Sequence, residues 1–144
     1  PPQLIDEAAS QARQLGAQIV ALHGETIVEP VESGTNMAGV KSTSVDILAH
    51  PGLLTLEEGK IAKENNVFLE LSARKGHSLS NGHVVKIAQQ AGASLVLNSD
   101  THHPSDLLNL EQATQIAAGA GLGQKEITQI LNENPLHLLK KRLS

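Results

Sequence analysis

Cysteine is absent from the 144 residues, so disulfides and thiolate metal sites are excluded and His, Asp and Glu are the strong ligands available. Tryptophan and tyrosine are also missing, and Phe68 is the single aromatic residue of the Phe, Trp and Tyr set. The usual base-stacking platform for nucleic acid is therefore absent. Basic residues are few: 11 Lys and Arg against 15 Asp and Glu give a formal charge of -4, with no cationic stripe for a phosphate backbone. No apolar run approaches the length of a membrane span, and the start lacks the charged-then-apolar pattern of a signal peptide. These absences predict a cytoplasmic, reducing environment and no membrane partner.

Hydrophobic residues make up 40% of the chain, enough for one globular core. Leu4, Ile5, Ala8, Ala9, Ala12 and Leu15 recur at helical spacing ahead of Gly16. Short apolar runs follow at 18–22, 45–49, 67–71 and 95–98, each bounded by turn residues, and they predict four buried strands. Between the strands, Thr55 with Glu58 reads as a capping box, and Asn81 opens a helix through Val84, Val85, Ile87, Ala88 and Ala91 that Gly92 closes. Asn109 with Gln112 and Asn134-Pro135 open two later helices, the last ending in Lys140-Lys141-Arg142. The stretch from Glu29 to Thr43 predicts loop with a short helix near Asn36. Strict alternation of strand and helix predicts a parallel α/β sheet, either open and doubly wound or TIM-like.

The candidate ligands fall at the C-terminal ends of those strands. His23 and Glu25 follow the first, His50 ends the second, Glu70 lies in the third with His77 after it, and Asp100 and His102 follow the fourth. In parallel α/β folds those ends share one rim, where active sites are built. Asp100-Thr101-His102 and His50-Pro51-Gly52 point to metal ligation, and His23 and Glu70 fit ligand, supporting or structural roles equally. His83, His103 and His137 read as ordinary hydrogen-bonded or exposed residues. An N and O donor set suits Zn, Mn or Fe. Glu25 is the candidate bridging carboxylate, because a carboxylate spans two cations where a neutral imidazole nitrogen serves one. Arg74 and Lys75 fit either a substrate phosphate or solvent. Gly119, Gly121 and Gly123 follow a helix and are read as a terminator and turn, not a phosphate loop. No Gly-x-Ser-x-Gly or Ser-His-Asp pattern supports a serine nucleophile.

Taken together, His23-Gly24-Glu25, Ile47-Leu48-Ala49-His50-Pro51-Gly52, Leu69-Glu70-Leu71-Ser72 with Ala73-Arg74-Lys75-Gly76-His77, and Asn98-Ser99-Asp100-Thr101-His102 resemble successive motifs of PHP (polymerase and histidinol phosphatase) domains. The resemblance implies a distorted (β/α)7 TIM-like barrel holding up to three divalent ions and hydrolysing phosphomonoesters or phosphodiesters, as histidinol phosphatases do. It implies that Glu25 bridges two ions, that His50 and His77 complete one site with it, that Asp100 helps bind a second ion and that His102 binds a third. The His-x-His motif that opens such domains has no counterpart before His23, and Ser72 stands where asparagine is common.

The chain is therefore expected to be the C-terminal part of one PHP domain spanning 1–144, about half of its barrel, with the N-terminal part missing. Closure takes around eight strands, so the free edge is expected to pair with that missing half or with a second copy. The function expected is metal-dependent hydrolysis of a small phosphorylated substrate. Two other classes compete with it. One is a non-catalytic half-barrel that assembles or binds. The other is the PHP domain of a nucleic-acid-processing protein, as in some DNA polymerases or the related barrel subunit of ribonuclease P, which the acidic balance and scarce aromatics oppose.

Overall fold

The computed structural model describes residues 1–143 and contains four strands in a single parallel sheet of order β1-β2-β3-β4. Helix α1 (Ile5–Gln14) leads to β1 (Ala21–His23), and α2 (Thr35–Lys41) to β2 (Ile47–Ala49). Next come α3 (Leu56–Glu64), β3 (Phe68–Ser72), α4 (Asn81–Ala91) and β4 (Leu95–Asn98). The chain closes with α5 (Leu110–Gly119), α6 (Gln124–Thr128) and α7 (Asn134–Leu143). The alternation read from the sequence is thus present, as a four-stranded parallel sheet interleaved with helices.

Local signals act where they were read. Thr55 and Glu58 form a reciprocal capping box at α3, as do Asn109 and Gln112 at α5. Gly92 ends α4 in the left-handed conformation, and α2 forms inside the polar 29–43 stretch. Asn81 begins α4, but its amide is used elsewhere: it accepts from the Ser72 backbone N–H and donates to the Ser72 carbonyl, tying α4 to the end of β3. The first strand starts at Ala21 instead of Gln18, because Val20 is held by Asp46. Helix α6 had no periodic signal, being five residues long, and it runs into a π turn at Gln129–Glu133.

Residues of alternate parity face opposite sides of the sheet. Leu48, Leu69, Leu71 and Leu95 join Val40, Leu54, Ala62 and Val84 in the main core, where each buried Leu or Val contributes about 1.5–3 kcal/mol of side-chain transfer energy. On the other face Ile47, Phe68 and Val96 pack with Leu138 of α7. Covering both faces is what a parallel sheet requires.

Asp46 sits where the chain enters β2, inside an otherwise apolar run, with its side chain fully buried. Its carboxylate accepts from the Val20 N–H, from Arg13 of α1 and from Arg142 of α7. Burial pushes the Asp46 carboxyl upward, yet these three donors outweigh it and hold the group below its ordinary range. Among the described residues no helix is long and apolar enough to cross a membrane.

Candidate metal centre

Parallel register carries the C-terminal ends of the strands to one rim: His23 pairs with Ala49, Glu70 with Val96 and Ser72 with Asn98. Two glycines then let the loops leaving β1 and β2 touch. A Cβ on Gly24 would lie 2.6 Å from the Ala49 carbonyl oxygen and 2.7 Å from the Pro51 Cα. A Cβ on Gly52, whose φ is +60°, would strike the Glu25 carbonyl. The His-Gly-Glu and His-Pro-Gly sequences are therefore two halves of one backbone contact, which brings His23 beside His50.

His23, His50 and His77 meet at this rim, each offering a nitrogen within 4.8 Å of the others. The His50 and His77 rings stack with centroids 4.2 Å apart, and His23 meets His50 edge-on at 4.4 Å. His50 has φ +32°, an uncommon conformation for a residue with a side chain, and Asp100 at the end of β4 shares the feature at φ +52°. Such backbone persists only where its surroundings enforce it. For His50 the enforcing group is Glu70. One carboxylate oxygen accepts the His50 backbone N–H at 3.0 Å and lies 2.9 Å from Nδ1, while the other accepts from Asn98 at 2.8 Å. A carboxylate on Nδ1 keeps the proton there and leaves a lone pair on Nε2. That His50 Nε2 is buried and has no hydrogen-bond partner among the described residues.

His77 is more deeply placed, 2% exposed, with Nδ1 at 2.6 Å from the Thr26 hydroxyl. Burial, seconded by the His50 ring, holds its pKa below the ordinary imidazole range against the pull of Glu29 and Asp100. It is neutral at pH 7, the form that binds a cation. A carboxylate that touches two of the imidazoles is Glu29, 3.1 Å from His23 Nε2 and 3.6 Å from His77 Nε2. Sequence reading passed over Glu29, because it lies in a loop beyond β1 where spacing carries no register.

Glu25 is not brought to the cluster. Its Oε1 accepts the backbone N–H groups of Gly34 and Asn36 at 2.9 Å each, where α2 begins and free donors await a partner. Asp100 joins the group through His77 Nε2 at 3.6 Å. Arg74 donates through Nη1 to Asp100 at 3.1 Å and lies 3.0 Å from His102 Nδ1, making a second cluster next to the first. Burial raises the Asp100 carboxyl, but the Arg74 hydrogen bond prevails and keeps it ionised. His102 is well exposed, and Lys75 is exposed beside it. His83 bonds the Leu54 carbonyl, His103 caps the turn at Pro104–Asp106 and His137 packs edge-on to Phe68, so all three have the ordinary roles expected.

An all-nitrogen and oxygen set, an unpartnered buried lone pair and a carboxylate behind the same imidazole fit a divalent cation such as Zn, Mn or Fe.

No family model matches the chain. It is 46% identical over 141 residues to an uncharacterized protein of Methanocaldococcus jannaschii, covering 98% of this chain and 65% of that protein. A probable phosphatase of Shewanella pealeana is 31% identical over 150 residues, covering 94% of this chain and 59% of its own length. A probable phosphatase of a Thermoanaerobacter species is 29% identical over 126 residues, covering 76% and 51% respectively. The chain thus spans less than two thirds of these relatives. Among solved structures, a chain in the cryo-EM structure of archaeal ribonuclease P with mature tRNA superposes with a TM-score of 0.76 at 18% identity, over 97% of this chain and 63% of that one. That likeness is one of fold.

Proposed function

We propose that this rim is the metal centre of a phosphoric ester hydrolase of the PHP kind, and that residues 1–144 are the C-terminal part of such a domain, about half of its barrel. The observation that carries the reading is His50 Nε2, a buried acceptor fixed by Glu70 and without a hydrogen-bond partner among the described residues. Names of relatives support it, since several are probable phosphatases.

His23, His50 and His77 would hold one ion, with Glu29 as the nearby carboxylate and Asp100 and His102 as the next ligand atoms. Glu25 would have to release α2 to reach an ion, so Glu29 would be the first carboxylate ligand. A bound ion supplies hydroxide near neutral pH, the pKa of coordinated water falling to about 7 in favourable zinc sites, and neutralises charge on a phosphoryl oxygen. The protein's own groups do the rest. Glu70 keeps the His50 proton on Nδ1, and Thr26 fixes the orientation of His77. Arg74, steadied by Asp100 and His102, presents its guanidinium to the phosphoryl oxygens.

The test is metal analysis of protein purified without chelators, followed by hydrolysis of p-nitrophenyl phosphate with and without chelation. Bound Zn, Mn or Fe that His50→Ala releases is the expected result. Protein free of metal, with a His50→Ala variant that behaves like the parent, overturns the proposal.

A further inference from the structure

Next to the imidazole cluster lies a hollow of about 600 Å³ between the loop after β3 and helix α5. Small-molecule sites occupy roughly 300–1,000 Å³, so the space suits an organic ligand beyond a phosphate alone. It meets the rim at Arg74 and His102.

Its lining is rich in unspent donors. The Arg74 side chain makes its hydrogen bonds through Nη1, and its other guanidinium N–H groups make none among the described residues. Lys75 and Gln115 also line the hollow, and their side chains have no hydrogen-bond partner among the described residues. Gln112 uses its carbonyl to cap α5, which leaves its amide N–H groups available. The lone carboxylate of the lining, Asp106, is already occupied by the backbone N–H groups of His102 and His103. Leu107 and Ile116 supply apolar wall, and no Phe, Tyr or Trp lines the hollow to stack on a base.

Two cations and two amides with little acceptor among them call for a ligand that is anionic and rich in acceptor oxygens. From this geometry we infer that the hollow is a subsite for a second oxyanion. The substrate class is then a small aliphatic phosphomonoester that also carries a carboxylate or another phosphate, with Lys75 and Gln115 as specificity residues. The reacting end of that substrate rests on the phosphoesterase reading, but the second-anion subsite does not.

Non-hydrolysable probes test it. Propylphosphonate, phosphonopropionate and propane bisphosphonate are titrated calorimetrically into the protein with zinc present. Side-chain amide resonances of Gln112 and Gln115 are followed by NMR. At least one two-anion probe should bind about tenfold more tightly than propylphosphonate, the increment of one charge-assisted hydrogen bond. The arm that gains identifies the oxyanion. Lys75→Ala and Gln115→Ala should each shrink that ratio while leaving propylphosphonate unchanged, and the two amides should shift with the two-anion probes. Equal binding of all three probes, no binding of any, or a preference untouched by Lys75→Ala overturns the inference. If instead propylphosphonate ignores His50→Ala while the two-anion preference persists, the phosphoesterase reading falls and the subsite stands.

Discussion

Replacing Glu70 by glutamine separates the positioning of His50 from its mere presence. The carboxylate makes three contacts: the His50 backbone N–H, His50 Nδ1 and the Asn98 amide. Glutamine is nearly isosteric, but one terminal atom becomes an amide donor. If the carbonyl takes the place of the oxygen shared by the His50 backbone N–H and Nδ1, the amide meets Asn98, donor against donor; if the amide takes that place instead, it opposes the backbone N–H and Nδ1 must accept. In the second arrangement the imidazole proton moves to Nε2 and the lone pair offered to the cluster disappears. Loss of such a supporting carboxylate costs about 10–100-fold in metal affinity, or roughly 1.4–2.8 kcal/mol. One unsatisfied buried group should also cost about 1–3 kcal/mol of stability. Zinc affinity is read by competition with a chromophoric chelator, cobalt binding by its d–d spectrum and stability by urea unfolding. Zinc affinity within twofold of the parent would show that the Glu70 contact does not set the tautomer, and the account of His50 would fail.

Asp46→Asn removes the charge shared by Arg13 and Arg142; with both arginines partly exposed, about 2–4 kcal/mol should be lost in urea unfolding, with zinc affinity per folded molecule unchanged. Gly52→Ala places a methyl group against the Glu25 carbonyl at a backbone angle alanine resists, and should cost about 2–4 kcal/mol together with the His23 to His50 approach, read by thermal melting and cobalt spectra. Because the His77 pKa is lowered in the fold, the unfolded chain binds the extra proton first. Metal-free protein should therefore lose stability as pH falls below about 6.5, down through the lowered folded value, and His77→Gln should flatten that part of the profile. A metal-free unfolding free energy indifferent to pH across that window would contradict the burial assigned to His77.

Periodicity made the sheet legible because apolar runs such as 67–71 and 95–98 leave a buried strand few alternatives. The rim was legible for the same reason: strand ends fix where His50, His77 and Asp100 must go. Residues in long loops escape that logic. Glu25 and Glu29 are both acidic and both follow β1, and only the folded path decides that Glu25 caps α2 while Glu29 reaches the imidazoles. Asp46 was hidden for another reason. Within an apolar run it reads as an interruption, and its partners Arg13 and Arg142 are 33 and 96 positions away.

That buried carboxylate lies at the entrance of β2, while His50 leaves the opposite end of the same strand. Each role thus has its own pole. One end works as a drawstring, cinching the opening and closing helices of the fold onto a single anion. Exchange of exposed groups at the far pole, such as His102, can therefore alter ligand choice and leave the knot tied, whereas a change at the knot loosens both helices however well the ligands are placed.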